Sequence, residues 1–246
     1  MANSIPRINF AGIDPAAAAG PGGDSSRWAA VRAVVMDALT EHGVFEAVMD
    51  GLISPELSAA MLGLGGATES FFSLPPSTKA LYANKEKPYL GYVSSSFLTL
   101  PYGTLCVKDP PPPFPTPSPP WTASCGSPSF CETVQAYTEK VSALATVVLR
   151  MVLESLGATA ESIEEQVLTN GRVVSPLHRV VVAGDKTRYA CILFSNPRDD
   201  AVVRAVDAQR PAMYRPFQYS DYNGFFFSKE HNENPNKLEI VARRRG

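Results

Sequence analysis

Two side chains ten residues apart, His178 and Arg188, have the types and spacing best suited to chemistry. An imidazole can hold a transition metal, and a guanidinium grips a carboxylate through two parallel hydrogen bonds. Asn170-Gly171 is a strong turn signal, and β-rich sequence follows it directly. Residues 172–182 read as a strand with Val174, His178, Val180 and Val182 on one face. A loop over 183–187 leads to a second predicted strand, Arg188 to Phe194. Pairing across that loop sets Val182 opposite Arg188 and His178 opposite Ile192, so His178, Arg188 and Ala190 share a face. Each residue also has a plain reading. A histidine among valines is more often a satisfied core residue than a ligand, and an arginine often serves a surface ion pair.

The elements that must carry this pair begin at the N-terminus. Ile5 to Phe10 reads as a short strand with Ile8 and Phe10 on one face. A helix from about Arg27 to Glu41 buries Trp28, Val31, Val35 and Leu39, and His42-Gly43 ends it. Val44 to Val48 predicts a second strand, and Ser54-Pro55 a well-formed helix start. Ser129 opens a long amphipathic helix over 129–156, with Glu132 completing a capping box. Val134, Tyr137, Val141, Leu144, Val148 and Met151 recur along it at three- and four-residue steps, and Gly157 is placed to end it. A polar helix from Glu161 to Gln166 is expected next; Glu161, Glu164 and Glu165 read most simply as its solvated face.

The run TNGRVVSPLHRV followed by RYACILFSNP resembles the end of the catalytic barrel of plant Fe(II)/2-oxoglutarate-dependent dioxygenases. These are the isopenicillin N synthase-like enzymes, and the gibberellin-oxidase-like and glucosinolate-oxidase-like branches are nearest. The order Gly43-Val44-Phe45, Leu74-Pro75, Lys79, Gly91-Tyr92 is similar to the N-terminal region of the same family. By this resemblance His178 takes the last iron-ligand role, and Arg188 pairs with the distal carboxylate of 2-oxoglutarate. Ala190 stands where the family has serine, so one hydroxyl bond to the co-substrate is lost, worth about 1 kcal/mol. Implied cofactors are Fe(II) and 2-oxoglutarate. The implied reaction converts 2-oxoglutarate to succinate and CO₂ while a small plant metabolite is oxidised. Tyr89 and Tyr92 have either a substrate-pocket or a packing role.

One departure from the family pattern is large. The family holds iron with two histidines and one carboxylate, the first two ligands arriving as a His-x-Asp motif ahead of the second histidine. The chain's three histidines are His42, His178 and His231, and none begins a His-x-Asp. His231-Asn232-Glu233 has a related form but follows His178 in a polar tail. The helices before Val167 run almost directly into Thr169-Asn170-Gly171, where the family has most of its barrel. The junction near Gln166-Val167 therefore reads as an internal deletion. Two or three strands remain where an eight-stranded jelly roll is expected. The resemblance implies a dioxygenase impaired as written; the alternative is a non-catalytic remnant or splice form, binding or regulatory in role.

The expected fold class is α+β: a helix-rich N-terminal region plus an incomplete double-stranded β-helix (jelly-roll) with a long central helix. Residues 1–108 form the N-terminal region, 109–128 a Pro-rich linker, 129–166 the central helices, 167–228 the barrel remnant and 229–246 a polar basic tail. The linker holds eight prolines between Pro110 and Pro120, which enforces extended polyproline II. It is either a stiff surface loop or a PxxP contact for SH3- or WW-type domains. A net charge of -2 gives no reason to expect nucleic acid or membrane partners. No apolar signal core or membrane-length stretch is present in the sequence, and the four cysteines lack paired metal spacing. A cytoplasmic monomer with reduced thiols is expected.

Overall fold

Local sequence signals become elements throughout the N-terminal part of the chain. The structure, a computed structural model, describes residues 4–14, 26–84, 91–94, 103–106, 130–157, 166–176, 178, 187–205, 210–227 and 241–242. Helices and short strands are mixed along it, an α+β arrangement. Strand β1 (Arg7–Asn9) pairs in parallel with β2 (Glu46–Val48), placing Ile8 opposite Ala47. Between them runs α1 (Ser26–Glu41), which buries Val31 and Val35 as its spacing requires. Gly43 ends it at φ +68°, where a residue with a Cβ would be strained, and donates to the carbonyls of Ala38 and Leu39. Helix α2 (Pro55–Leu62) starts as its sequence signals: the Ser54 hydroxyl accepts from the Leu57 amide at 3.2 Å.

Two short helices follow, α3 (Ala67–Phe72) and α4 (Pro76–Ala80), then an antiparallel pair of β3 (Gly91–Val93) and β4 (Thr104–Cys106). The long helix α5 (Phe130–Ser155) matches its expected extent, and Gly157 beyond it adopts φ +74°. The last sheet has three strands. In it β5 (Gln166–Leu168) runs parallel to β6 (Val202–Ala205), which pairs antiparallel with β7 (Phe217–Gln218) before α6 (Tyr219–Phe227).

The chain divides into two compact units. One comprises Met1–Asp50, Ala143–Val180 and Phe194–Gly246. Its core joins Ile8, Phe10 and Ile13 with Val31, Val35 and Met36 of α1 and Val147, Met151, Val152 and Leu156 from the α5 end. The other comprises Gly51–Ser142 and Val181–Leu193. It gathers Met61, Ala67, Phe71 and Phe130, with Phe71 packed edge-on against Tyr82 and Tyr92. Helix α5 thus contributes its first part to one core and its second part to the other.

Two expectations fail on tertiary grounds. Residues 172–176, 178 and 187–199 are in no strand, so the hairpin expected over Arg172 to Phe194 is not formed in its described parts. β-rich residues become a strand only when a ladder partner is fixed beside them, and propensity alone does not supply one. Gln166, expected to end a helix, instead opens β5, because a parallel partner at Val203 is present. The Pro-rich segment, Ser129 of the capping box, Glu161 to Glu165 and His231 lie outside the described residues.

A charged cluster fixes α1 to the last turns of α5. The Glu154 carboxylate accepts from the Trp28 indole at 2.8 Å, from Arg32 at 3.0 Å and from Arg150 at 2.9 Å. The Arg150 guanidinium also lies over the Trp28 ring, 5.4 Å from its centre. Burial pushes the Glu154 carboxyl up, but the bonds from Trp28, Arg150 and Arg32 outweigh it and hold the group below its ordinary range. A depressed folded-state value means that the stabilisation is present above the unfolded value and is lost as pH falls through the folded one. Glu154→Gln is expected to cost about 2–3 kcal/mol at neutral pH. Urea titrations of both proteins should show that gap closing once the medium is more acidic than the ordinary carboxylate range. A gap of constant size down to that range would mean the charge is not what stabilises the contact.

Candidate functional site

The segment leading to His178 is built outward from the Asn170-Gly171 turn. Both residues have positive φ, 51° and 78°, and the Arg172 amide donates to the Thr169 carbonyl at 3.0 Å. This is the tight turn the dipeptide signals. Asn170 does more than turn the chain. It is buried, its Nδ2 donates to the Pro211 carbonyl at 3.1 Å, and its Oδ1 accepts from the Met213 amide at 2.8 Å. The side chain thereby ties this turn to the segment ahead of β7. Sequence reasoning missed that role: the Asn-Gly pair announces a turn, while its burial depends on residues forty positions away.

Beyond the turn, the chain is held against the end of α1. The Val174 amide donates to the Leu39 carbonyl at 3.2 Å, and Val173 packs on the core there. A Cβ on Gly43 would overlap the Val174 carbonyl and the Pro176 ring, so glycine is required there for close approach as well as for its φ. His178 follows this anchored stretch and is exposed. Its Nδ1 lies 3.1 Å from the Pro176 carbonyl. With Nδ1–H as donor, Nε2 keeps its lone pair and can serve a metal, as outer hydrogen bonds do for metal-bound imidazoles.

Arg188 and Ala190 are exposed and in no strand, and they belong to the second compact unit while His178 belongs to the first. Tyr92 sits in β3, its ring packed edge-on against Phe71 at 6.0 Å and under the Lys79 ammonium at 5.6 Å. That environment is the packing role. Tyr89 lies outside the described residues. Among the described residues no three of His, Cys, Asp and Glu come together in a way that would hold a metal ion. His178 therefore offers an exposed imidazole, with no carboxylate beside either ring nitrogen among the described contacts. No helix of the described residues is long and apolar enough to cross a membrane.

No family model matches the chain. It is similar to the probable 2-oxoglutarate-dependent dioxygenase AOP1.2 of Arabidopsis thaliana, 26% identical over 298 positions that cover 82% of this chain and 86% of that protein. It is also similar to the probable 2-oxoglutarate-dependent dioxygenase AOP1 of the same plant, 43% identical over 63 residues, 24% of this chain and 21% of that one. With the 2-oxoglutarate-dependent dioxygenase AOP3, again from Arabidopsis thaliana, identity is 38% over 80 residues, 30% of this chain and 20% of that protein. The first alignment, at 298 positions, is longer than the chain itself at 246 residues. Since 82% of 246 is about 202, roughly 96 of the 298 positions have no residue of this chain.

Proposed function

We propose that the chain is a plant 2-oxoglutarate-dependent dioxygenase, an oxidoreductase of small-molecule metabolism that retains only the second half of its iron site. The observation that carries this reading is the set of roughly 96 relative positions, within an alignment of 298, that face no residue here. A loss of that size suits the junction near Gln166-Val167, where the long helix and the Asn-Gly turn lie too close together for a barrel. Bound iron and 2-oxoglutarate supply the oxidising chemistry of the family. The described residues do not fit the metal: His178 provides one ligand, and no partner pair completes the octahedral face that such iron needs.

His178 and Arg188 are accordingly proposed as the retained ligand and co-substrate anchor, and Ala190 as the position where one hydroxyl contact is lost. The reading places the chain in the cytoplasm, with a small-molecule partner and no nucleic acid. Anaerobic calorimetric titration with Mn(II) tests it. A lone imidazole lacks the chelate of a preformed triad, and Mn(II) sits lowest in the divalent affinity order. No stoichiometric site is expected. A one-to-one complex that disappears in His178→Ala would mean that other residues complete the site and that the deletion reading is wrong.

A further inference from the structure

We infer that Asn170-Gly171 is a deamidation site kept closed by its own hydrogen bonds, so that opening the turn converts Asn170 to aspartate or isoaspartate and the turn cannot close again. Asparagine followed by glycine is especially open to this reaction, because glycine has no side chain to hinder attack by its own amide nitrogen. That nitrogen gives its proton to hydroxide and bonds to Asn170 Cγ. The Cγ–Nδ2 bond breaks, and Nδ2 leaves as ammonia. Water then opens the cyclic imide at either of its carbonyls. The net change consumes a water and releases an ammonia, with no oxidant or metal required.

Ring closure requires the side-chain amide to swing onto the following peptide. In the folded chain Asn170 is only 2% exposed and is held at both ends of its amide. The leaving nitrogen donates to the Pro211 carbonyl at 3.1 Å, and Oδ1 accepts from the Met213 amide at 2.8 Å. The segment that supplies these partners is pinned in turn. The Arg215 amide donates to the Ala242 carbonyl at 2.8 Å, its guanidinium donates to the Val241 carbonyl at 2.9 Å, and Ala242 is fully buried. All of these residues lie in one compact unit. An aspartate here has no Nδ2 proton, so a carboxylate oxygen would face the Pro211 carbonyl, acceptor against acceptor in a buried place. Isoaspartate adds a methylene to the backbone of a turn that the Arg172-to-Thr169 bond closes. Either product releases the turn from the 211–213 segment, and with it the stretch that leads to His178.

The inference does not rest on the iron-site reading, because neither metal nor co-substrate takes part. A second Asn-Gly pair, Asn223-Gly224 inside α6, serves as an internal reference. Peptide mapping by mass spectrometry of the full chain, incubated at neutral pH without metal, reads both sites by the exchange of NH2 for OH. In urea the two should react at the same rate. Without urea, Asn170 is expected to slow by about tenfold or more against its own rate in urea, since reaction then waits on local opening. Met213→Pro removes the donor to Oδ1, and Arg215→Met removes the guanidinium bond to Val241. Each is expected to raise the rate at Asn170 relative to Asn223 by about fivefold, the effect of losing one hydrogen bond. Asn170→Asp puts the product in place and should speed hydrogen exchange at the Met213 amide by about tenfold or more, which Asn223→Asp should not. The inference is overturned if Asn170 reacts as fast in the folded chain as in urea, if both latch variants leave the ratio of the two sites unchanged, or if Asn170→Asp leaves exchange at Met213 as it was.

Discussion

Inserting a close relative's barrel segment between Gln166 and Val167 is expected to raise succinate release from the level of a protein-free control by about a thousandfold or more, well short of the roughly millionfold gain at the low end of enzymatic rate enhancements. The unmodified chain should release none above that control. The reason is the ligand count. His178 alone cannot hold ferrous iron, whereas a restored His-x-Asp would supply the other two protein ligands and leave positions for the co-substrate and oxygen. In the proposed site Arg188 would serve the distal carboxylate. Two further changes in the chimera separate the roles. His178→Ala should return succinate release to the control level. Ala190→Ser should lower the KM for 2-oxoglutarate by roughly fivefold, the equivalent of the 1 kcal/mol of one hydroxyl bond. A soluble chimera with a cooperative melt and no succinate release would remove the site assignment, since nothing else in the argument would then be missing.

Where sequence and structure agree, the signals are local. The Ser54 cap, the positive-φ glycines at 43 and 157 and the Asn170-Gly171 turn depend on residues within a few positions of one another. The apolar spacing along α5 works in the same way, because a helix needs no partner to define its period. Strand pairing does not have that property. Residues 188–194 have the composition of a strand, yet a ladder needs a second strand in register, and within the described residues none is beside them. Gln166 shows the converse: polar and preceded by glutamates, it reads as the end of a helix, but a parallel partner at Val203 makes it a strand. The candidate site divides along the same line. His178 and Arg188 are proposed from spacing and resemblance alone, whereas the Asn170 latch to Pro211 and Met213 exists only in three dimensions.

Deleting a single side chain from α5, by Met151→Ala, is expected to remove the cooperative folding transition of the unit that contains it. Met151 and Val147 are fully buried, and with Leu156 they form the α5 contribution to a core otherwise made by β1, the residues after it and α1. Truncation of a buried methionine costs about 2–5 kcal/mol, because the lost transfer energy is joined by that of the cavity left behind. Net stability of a domain is only about 5–15 kcal/mol. This core is modest, and large apolar side chains of the same unit such as Phe194, Val202 and Met213 stay exposed instead of adding to it. The unit therefore sits at the low end of that range, and one cavity suffices to offset most of it. In a thermal scan followed by near-ultraviolet circular dichroism, the variant should show a broad, shallow loss of signal and should bind ANS at room temperature. Leu149→Ala provides the comparison on the same helix: that residue is 44% exposed, and the expected change is within about 0.5 kcal/mol. If Met151→Ala melts as sharply as the unmodified chain and within a degree of it, the buried seam between α1 and α5 is not what holds this unit together.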